Sequence, residues 1–230
     1  MSASTRVYKA DGKPTIAGKV EAQLRHDILH GVLAPGMKLN LDKLREAMNV
    51  GLSPMREAVT RLVCDGWVEV STQRGYSVTP MSVENLDEVC ALRLQLEPYA
   101  LRLSIANGEL DWETNVMGAL YRLNKTQRIP EKVESIDAWE TANNAFHFAL
   151  IERCDMPLLI KMHASLVSMN NRYRNIYLSG HKMQRDVIDE HTRIANLAVD
   201  RKVEAAIKLL CAHITRSTKN LRRIIIKTNS

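Results

Sequence analysis

Helical periodicity from residue 82 to the C-terminus constrains the fold more than any other feature of this sequence. Apolar residues recur there at intervals of three and four, the spacing of one helical face, and strand-like alternation is almost absent. Glycine, proline and aspartate breaks divide the segment into six predicted helices, over residues 82–106, 111–127, 132–153, 156–178, 183–199 and 201–226. Six helices of this length favour an antiparallel bundle with room for an interior site.

The composition fits a globular protein of one large or two ordinary domains, with 45% hydrophobic and 25% charged residues in a chain of 230. Apolar runs are too short for a membrane span, and none follows the basic residues near the start, so we expect no export signal. The four cysteines form no CxxC pair, and three lie in apolar helical patterns. We therefore expect reduced core thiols in a cytoplasmic protein.

The segment Leu52–Val70 predicts a surface helix that runs directly into a strand. Ser53 is the predicted N-cap, Pro54 fits the first turn, and Gly66 fits a left-handed helix end. The apolar residues share one helical face: Met55, Val59, Leu62 and Val63. The polar residues share the other: Ser53, Arg56, Glu57, Thr60 and Arg61. By spacing alone, an ordinary amphipathic helix before a hairpin explains this segment equally well.

The neighbouring segments complete a helix-turn-helix pattern. A helix begins at Ile16 and ends at Gly31, and a second is predicted over 39–50. The strands 67–70 and 76–78 predict a two-stranded wing with its tip at 71–75. We therefore predict a mobile tail over 1–13, a winged helix-turn-helix domain over 14–80 and a helical domain over 81–230, with Ser82 as the N-cap that opens the latter.

Net charge permits nucleic-acid binding but does not establish it. The formal charge of +6 is divided evenly between residues 1–80 and 81–230. A dedicated electrostatic footprint would concentrate positive charge on one face or segment.

The order helix, helix, turn, helix, hairpin over about residues 16–80 resembles the N-terminal domain of the GntR family of bacterial transcription regulators. The most specific motif is S-P-M-R-E-A-V at 53–59, followed by L-V-C-D-G-W-V at 62–68. The resemblance implies that Arg56 contacts DNA, and the predicted interface also includes Ser53, Thr60, Arg61, Gln73, Arg74 and Gly75. Gly51-Leu52 and Asp42 depart from the family pattern, so we expect an unusual operator or weaker phosphate anchoring.

Three histidines of the predicted bundle are candidates for one site. Asn143 and His147 are one helical turn apart and project from the same face. His191 lies nine residues before the turn at Asp200 and His213 thirteen after it, so both reach similar heights on antiparallel helices. Imidazoles on facing helices bind transition metals such as zinc or nickel. The alternative is that each histidine has only a packing or surface role.

Four bundle motifs are similar to those of the FCD effector domain of the FadR subfamily, and six helices look like its VanR-type branch. They are R-L-Q-L-E at 93–97, N-x-x-x-H at 143–147, E-H at 190–191 and A-H at 212–213. The resemblance implies a divalent transition metal, Zn or Ni, on His147, His191 and His213. Asn143 stands where the family often has an acidic ligand, so weaker binding is expected.

The same resemblance implies a small carboxylate effector. Arg93 is a candidate to pair with it, although an ion pair with Glu97 one turn later explains this arginine as well. Arg172 is a second candidate, and of Arg172 and Arg174 at most one is expected to point inward.

We expect a mostly α protein with an N-terminal winged helix-turn-helix, a small β-hairpin and a C-terminal antiparallel six-helix bundle. Its expected function is that of a ligand-responsive transcriptional regulator, a repressor, which binds operator DNA as a homodimer. One alternative is a helical-bundle metalloenzyme acting on a small acid, with Glu190 or Glu140 as base. Another is a dimeric scaffold with a non-functional pocket.

Overall fold

The computed structural model describes residues 15–71, 75–130, 132–178 and 186–228, which form a mostly helical fold. These ranges contain nine α-helices and three β-strands. They divide into two compact units: the first comprises the described residues up to Ile28 and Val32–Thr79, and the second comprises Leu29–Gly31 and the described residues from Pro80 onward. The predicted tail over 1–13 and the wing-tip residues 72–74 lie outside the described residues.

The N-terminal unit consists of three helices and a small antiparallel sheet. Its elements are α1 (Ile16–Leu29), β1 (Lys38–Leu39), α2 (Leu41–Ala47), α3 (Leu52–Cys64), β2 (Val68–Ser71) and β3 (Gly75–Val78). The strand order is β1-β3-β2, so β3 lies in the middle. The predicted hairpin is therefore present, but the sheet has one strand more than the sequence predicted.

The extra strand shortens the second predicted helix. Lys38 pairs with Ser77 and Leu39 with Tyr76. Helix α2 then begins at Leu41, because the Asn40 side chain accepts a hydrogen bond from the Lys43 amide at 3.0 Å and caps the first turn. The predicted range of 39–50 was wrong at both ends: Leu39 pairs with β3, and the helix stops at Ala47, shortly before Asn49 takes a left-handed conformation with φ of 51°.

Helix α3 buries three of the four apolar residues that its spacing predicted on one face. Met55, Val59 and Leu62 are fully buried, whereas Val63 is partly exposed. The predicted N-cap was wrong: the cap is Gly51, and Ser53 lies inside the helix. Proline is harmless anywhere in a first turn, where the amides have no helical partner, so Pro54 does not fix the start. Gly66 has the predicted left-handed conformation, with φ of 74°.

The second unit is the six-helix bundle that the sequence predicted, with helix ends shifted by a few residues. Its helices are α4 (Val83–Asn107), α5 (Leu110–Lys125), α6 (Val133–Ile151), α7 (Pro157–Leu178), α8 (Asp186–Val199) and α9 (Val203–Thr228). Ser82 caps α4 as predicted, since its hydroxyl accepts from the Asn85 amide at 3.1 Å. Residues 183–185, predicted to start the fifth helix, lie outside the described part of the chain.

The bundle core forms where α4 packs against α7 and α9, and where α5 packs against α6 and α8. The indole N–H of Trp112 donates to the Ala149 carbonyl at 2.8 Å and satisfies the one polar atom of that buried ring. In the described ranges, no helix is long and apolar enough to cross a membrane.

The cysteines are free, but the prediction of core thiols holds only for Cys154, which is buried. Cys90 and Cys211 are partly exposed, and Cys64 is exposed. Cys64 is the last residue of α3 and lies outside the buried stripe of that helix.

Two glycines in the bundle provide a matched test of the packing. A Cβ on Gly108 would lie 2.5 Å from the Trp112 ring and 2.7 Å from the Ser104 carbonyl oxygen, whereas a Cβ on Gly118, inside α5, meets only the flexible end of Arg122 at 3.7 Å. We expect Gly108→Ala to lower the free energy of unfolding by about 1–3 kcal/mol through overpacking. Gly118→Ala should raise it by about 0.5–1 kcal/mol. Chemical denaturation measures both, and equal effects would contradict the packing described.

Candidate functional site

The outer face of α3 is the candidate nucleic-acid interface. Its polar residues are all exposed, as the helical spacing predicted: Ser53, Arg56, Glu57, Thr60 and Arg61. The Thr60 hydroxyl donates to the Arg56 carbonyl at 2.8 Å, within the helix. At the wing, Gly75 is exposed with φ of 78°, while Gln73 and Arg74 lie outside the described residues.

The two arginines of this face differ in their partners. Arg61 pairs with Glu57 at 2.6 Å and with Glu21 of α1 at 3.4 Å. Among the residues that the structure describes, no hydrogen bond or ion pair engages the Arg56 guanidinium. Arg56 therefore keeps its donors available for a ligand, whereas Arg61 links α3 to α1.

A salt-bridge network fixes α3 against α1. Arg25 of α1 pairs with Glu21 at 2.8 Å and with Asp65, just after α3, at 2.7 Å. Its guanidinium also lies 5.0 Å from the centre of the Trp67 ring. Burial opposes ionisation of Arg25, but its hydrogen bonds and charge interactions with Asp65 and Glu21 outweigh that effect and raise its pKa.

In the bundle, His147 of α6, His191 of α8 and His213 of α9 converge in a buried cluster. One ring nitrogen of each lies within 4.8 Å of those of the other two. The His191 and His213 Nε2 atoms are 3.3 Å apart. Phe146 packs against the cluster, with its ring centre 5.1 Å from that of His191. His191 and His213, which the sequence predicted at similar heights on either side of the turn at Asp200, are therefore neighbours in the fold.

His163 of α7 is buried apart from this cluster. Its Nε2 lies 3.4 Å from a carboxylate oxygen of Glu97 on α4. Burial alone would raise the pKa of Glu97, but the charge of Arg93 and the hydrogen bond and charge of His163 outweigh it and lower the pKa to about 2.

The surroundings of the cluster histidines favour their neutral form. Burial, reinforced by the charges of the neighbouring histidines and of Arg174, lowers the pKa of His147 and His191 well below its usual value. Burial and the charges of Arg174 and Arg93 lower the pKa of His213 to about 4. Neutral imidazole is the form that binds a metal ion, so metal binding would not require the loss of protons from these rings.

One distance in the cluster equals the spacing of two nitrogen ligands on a tetrahedral metal ion. Two nitrogens bound to zinc at about 2.0–2.1 Å stand about 3.3–3.4 Å apart. The 3.3 Å separation of the two Nε2 atoms matches that spacing. In addition, the His147 Nδ1 atom is buried without a hydrogen-bond partner among the described residues. A buried ring nitrogen left unpaired is costly, and a metal ion would satisfy it.

Carboxylates surround the cluster, but each has another partner. Arg174 holds Glu140 through two hydrogen bonds of 2.9 and 3.0 Å. Arg93 holds Glu97 at 2.6 Å, and His213 and Arg216 hold Glu190. Asn143, one turn before His147, is buried and neutral. In the described part of the chain, therefore, the convergent ligands are three histidines without a carboxylate.

The candidate effector arginines are both buried. Arg93 of α4 makes the ion pair with Glu97 that was its alternative explanation, and its charge also acts on His147 and His213. Arg172 lies buried on α7, where burial lowers its pKa.

Arg174 is the arginine that the sequence analysis did not assign. At most one of Arg172 and Arg174 was expected to face inward. In the structure Arg172 is buried and the Arg174 side chain is only 13% exposed, so α7 is covered on two sides. One signal was present in the sequence: Glu140 shares a helical face with His147, and a buried carboxylate requires a cationic partner.

Two family descriptions match the chain. Residues 16–78 match the bacterial regulatory proteins of the gntR family, and residues 88–216 match the FCD domain. The chain is 35% identical over 205 residues to the uncharacterized HTH-type transcriptional regulator BphR of Paraburkholderia xenovorans, covering 87% of this chain and 83% of that protein. It is 30% identical over 195 residues to the HTH-type transcriptional repressor GlaR of Escherichia coli, covering 83% and 89%.

A solved structure, E. coli McbR/YncC, shares the fold. It superposes with a TM-score of 0.74 at 24% identity, covering 91% of this chain and 98% of that one.

The matched segments cover the helix-turn-helix and most of the bundle, in the order that the motifs predicted. The relatives named above are transcriptional regulators, so the alternative of a metalloenzyme is not supported. The side chains agree, because the candidate bases Glu140 and Glu190 are both held by other residues. The chain therefore belongs to the GntR family of HTH-type transcriptional regulators and carries a C-terminal FCD domain.

Proposed function

We propose that this regulator is a repressor whose affinity for its operator is set by a small carboxylate bound at a divalent metal in the histidine cluster. The observation that carries the proposal is the convergence of three buried imidazoles from three helices, without a carboxylate among the described ligands. Three protein ligands leave a coordination position open for an exogenous donor. The assignment as a repressor is supported by GlaR, a relative that carries that name.

The charge of the site favours an anionic effector. His147, His191 and His213 would hold the metal as neutral donors, and the neutral Asn143 amide oxygen would be a weak ligand that an anionic donor replaces in the remaining position. A bound ion would act as a Lewis acid, and these neutral ligands would leave its double positive charge uncompensated. A small carboxylate would compensate that charge in a buried, low-dielectric site, where the attraction is stronger than in water. Arg93 and Arg174 add positive potential, since their charges already act on the histidines.

The DNA-binding half of the proposal rests on α3. In a homodimer, two copies of α3 would enter successive major grooves of a pseudo-palindromic operator. Arg56 is exposed, and its guanidinium is not engaged by any described residue, so it is available for a bidentate contact to guanine or for a phosphate. Effector binding would change the spacing or orientation of the two helices by favouring one state of the dimer.

We expect Arg56→Ala to weaken operator binding by about 10-fold to 100-fold, because it removes a charged contact to a base or phosphate. Fluorescence anisotropy with DNA from upstream of the protein's own gene measures the Kd. Arg102→Ala is the matched control: Arg102 is an exposed arginine paired with Glu204 in the bundle, and its loss should leave the Kd unchanged. An Arg56→Ala protein that binds within twofold of the wild type would contradict the assignment.

We expect the chelator-treated protein to bind one equivalent of zinc per chain, measured by isothermal titration calorimetry. His191→Ala should abolish this binding, because it removes one of three convergent donors. Asn143→Asp should tighten it, because it adds a negative ligand. His163→Gln is the control, since this buried histidine contacts Glu97 instead of the cluster. Equal zinc binding by the wild type and His191→Ala would refute the metal site.

A further inference from the structure

Glu190 of α8 bridges two residues of α9 that are one helical turn apart. One carboxylate oxygen lies 2.9 Å from the His213 Nδ1 atom, and the other pairs with the guanidinium of Arg216. Glu190 is only 6% exposed, so both contacts form in a region largely shielded from water. Its two oxygens are thus both committed, one of them to a member of the histidine cluster.

This contact determines which nitrogen of His213 carries the proton. An ionised carboxylate only accepts hydrogen bonds, so the His213 Nδ1 must be the donor. In a neutral ring the other nitrogen, Nε2, then carries the lone pair. Nε2 is the atom that faces His191 Nε2 at 3.3 Å. The carboxylate of Glu190 therefore directs the free lone pair of His213 into the cluster.

Arg216 restrains the carboxylate through the oxygen that His213 does not contact. Its side chain is 44% exposed, so it reaches from the protein surface to the buried Glu190. A carboxylate beside three imidazoles is itself a ligand for zinc. The pairing with Arg216 compensates the charge of Glu190 and engages the second carboxylate oxygen.

We propose that Glu190 is a positioning residue of this site, which orients His213 and fixes its Nδ1–H tautomer while Arg216 holds the carboxylate in place. This inference rests on the proposed function of the cluster as a metal site. It gives Glu190 a role other than that of a general base, because one carboxylate oxygen is committed to His213 and the other to Arg216. Residues that orient metal-binding histidines in this way are worth about 10-fold to 100-fold in metal affinity.

Zinc affinity of the full chain tests the inference. Glu190→Leu should weaken zinc binding by about 10-fold to 100-fold, measured by competition with a chromophoric chelator. Glu190→Gln should recover part of the loss, because its amide oxygen also accepts from Nδ1–H. Glu204→Gln, the same substitution at an exposed ion pair of α9, should bind zinc as the wild type does. A Glu190→Leu protein with wild-type affinity would overturn the inference.

A second readout needs no metal. Nitrogen-15 NMR of the metal-free protein reports the tautomer of each histidine, and we expect His213 to carry its proton on Nδ1 in the wild type and to lose this preference in Glu190→Leu. A proton on Nε2 in the wild type would overturn the inference even if zinc binds. The predicted tautomer in a wild type that binds no zinc would support the orientation by Glu190 and contradict the metal part of the proposed function.

Discussion

Three imidazoles from α6, α8 and α9 are buried together inside the bundle, and their burial constrains the charged groups around them. Buried polar groups are costly unless they are paired, and each charged group near the cluster has its partner. Arg93 holds Glu97, Arg174 holds Glu140, and Glu190 is held between His213 and Arg216. Within the cluster the exception is His147 Nδ1, which has no described partner. A bound metal ion would satisfy this nitrogen, as the proposed function requires.

The N-terminal unit holds α3 in a fixed position against α1 and leaves one face of α3 exposed. The apolar face of α3 is buried, and Glu21, Arg25, Asp65 and Arg61 tie its exposed side to α1. Individual surface ion pairs contribute little to stability, but a network sets geometry. The two arginines of α3 differ accordingly. Arg61 pairs with Glu57 and Glu21, whereas Arg56, in the N-terminal half of the helix, has its guanidinium available for a ligand.

Periodicity predicted the helices well because it depends only on which residues are buried together along one segment. The convergence of His191 and His213 followed from helix rise and an antiparallel turn. Features that depend on distant partners were missed. Strand β1 forms only because it pairs with β3. Arg174 faces inward because its guanidinium donates hydrogen bonds to Glu140 of α6. The partial exposure of Cys90 and Cys211 depends on how neighbouring helices pack, which spacing along one helix does not show. Ser53 failed as a cap because Pro54 is compatible with more than one helix start.

We propose that occupancy of the histidine cluster controls DNA binding. The operator Kd of the full chain, measured with zinc and a panel of small mono- and dicarboxylates, tests this directly. We expect zinc with one such carboxylate to change the Kd by about 5-fold to 150-fold, the usual range of allosteric coupling. His191→Ala should remove this response and retain basal DNA binding. An unchanged Kd across the panel, or an equal response in His191→Ala, would contradict this proposal.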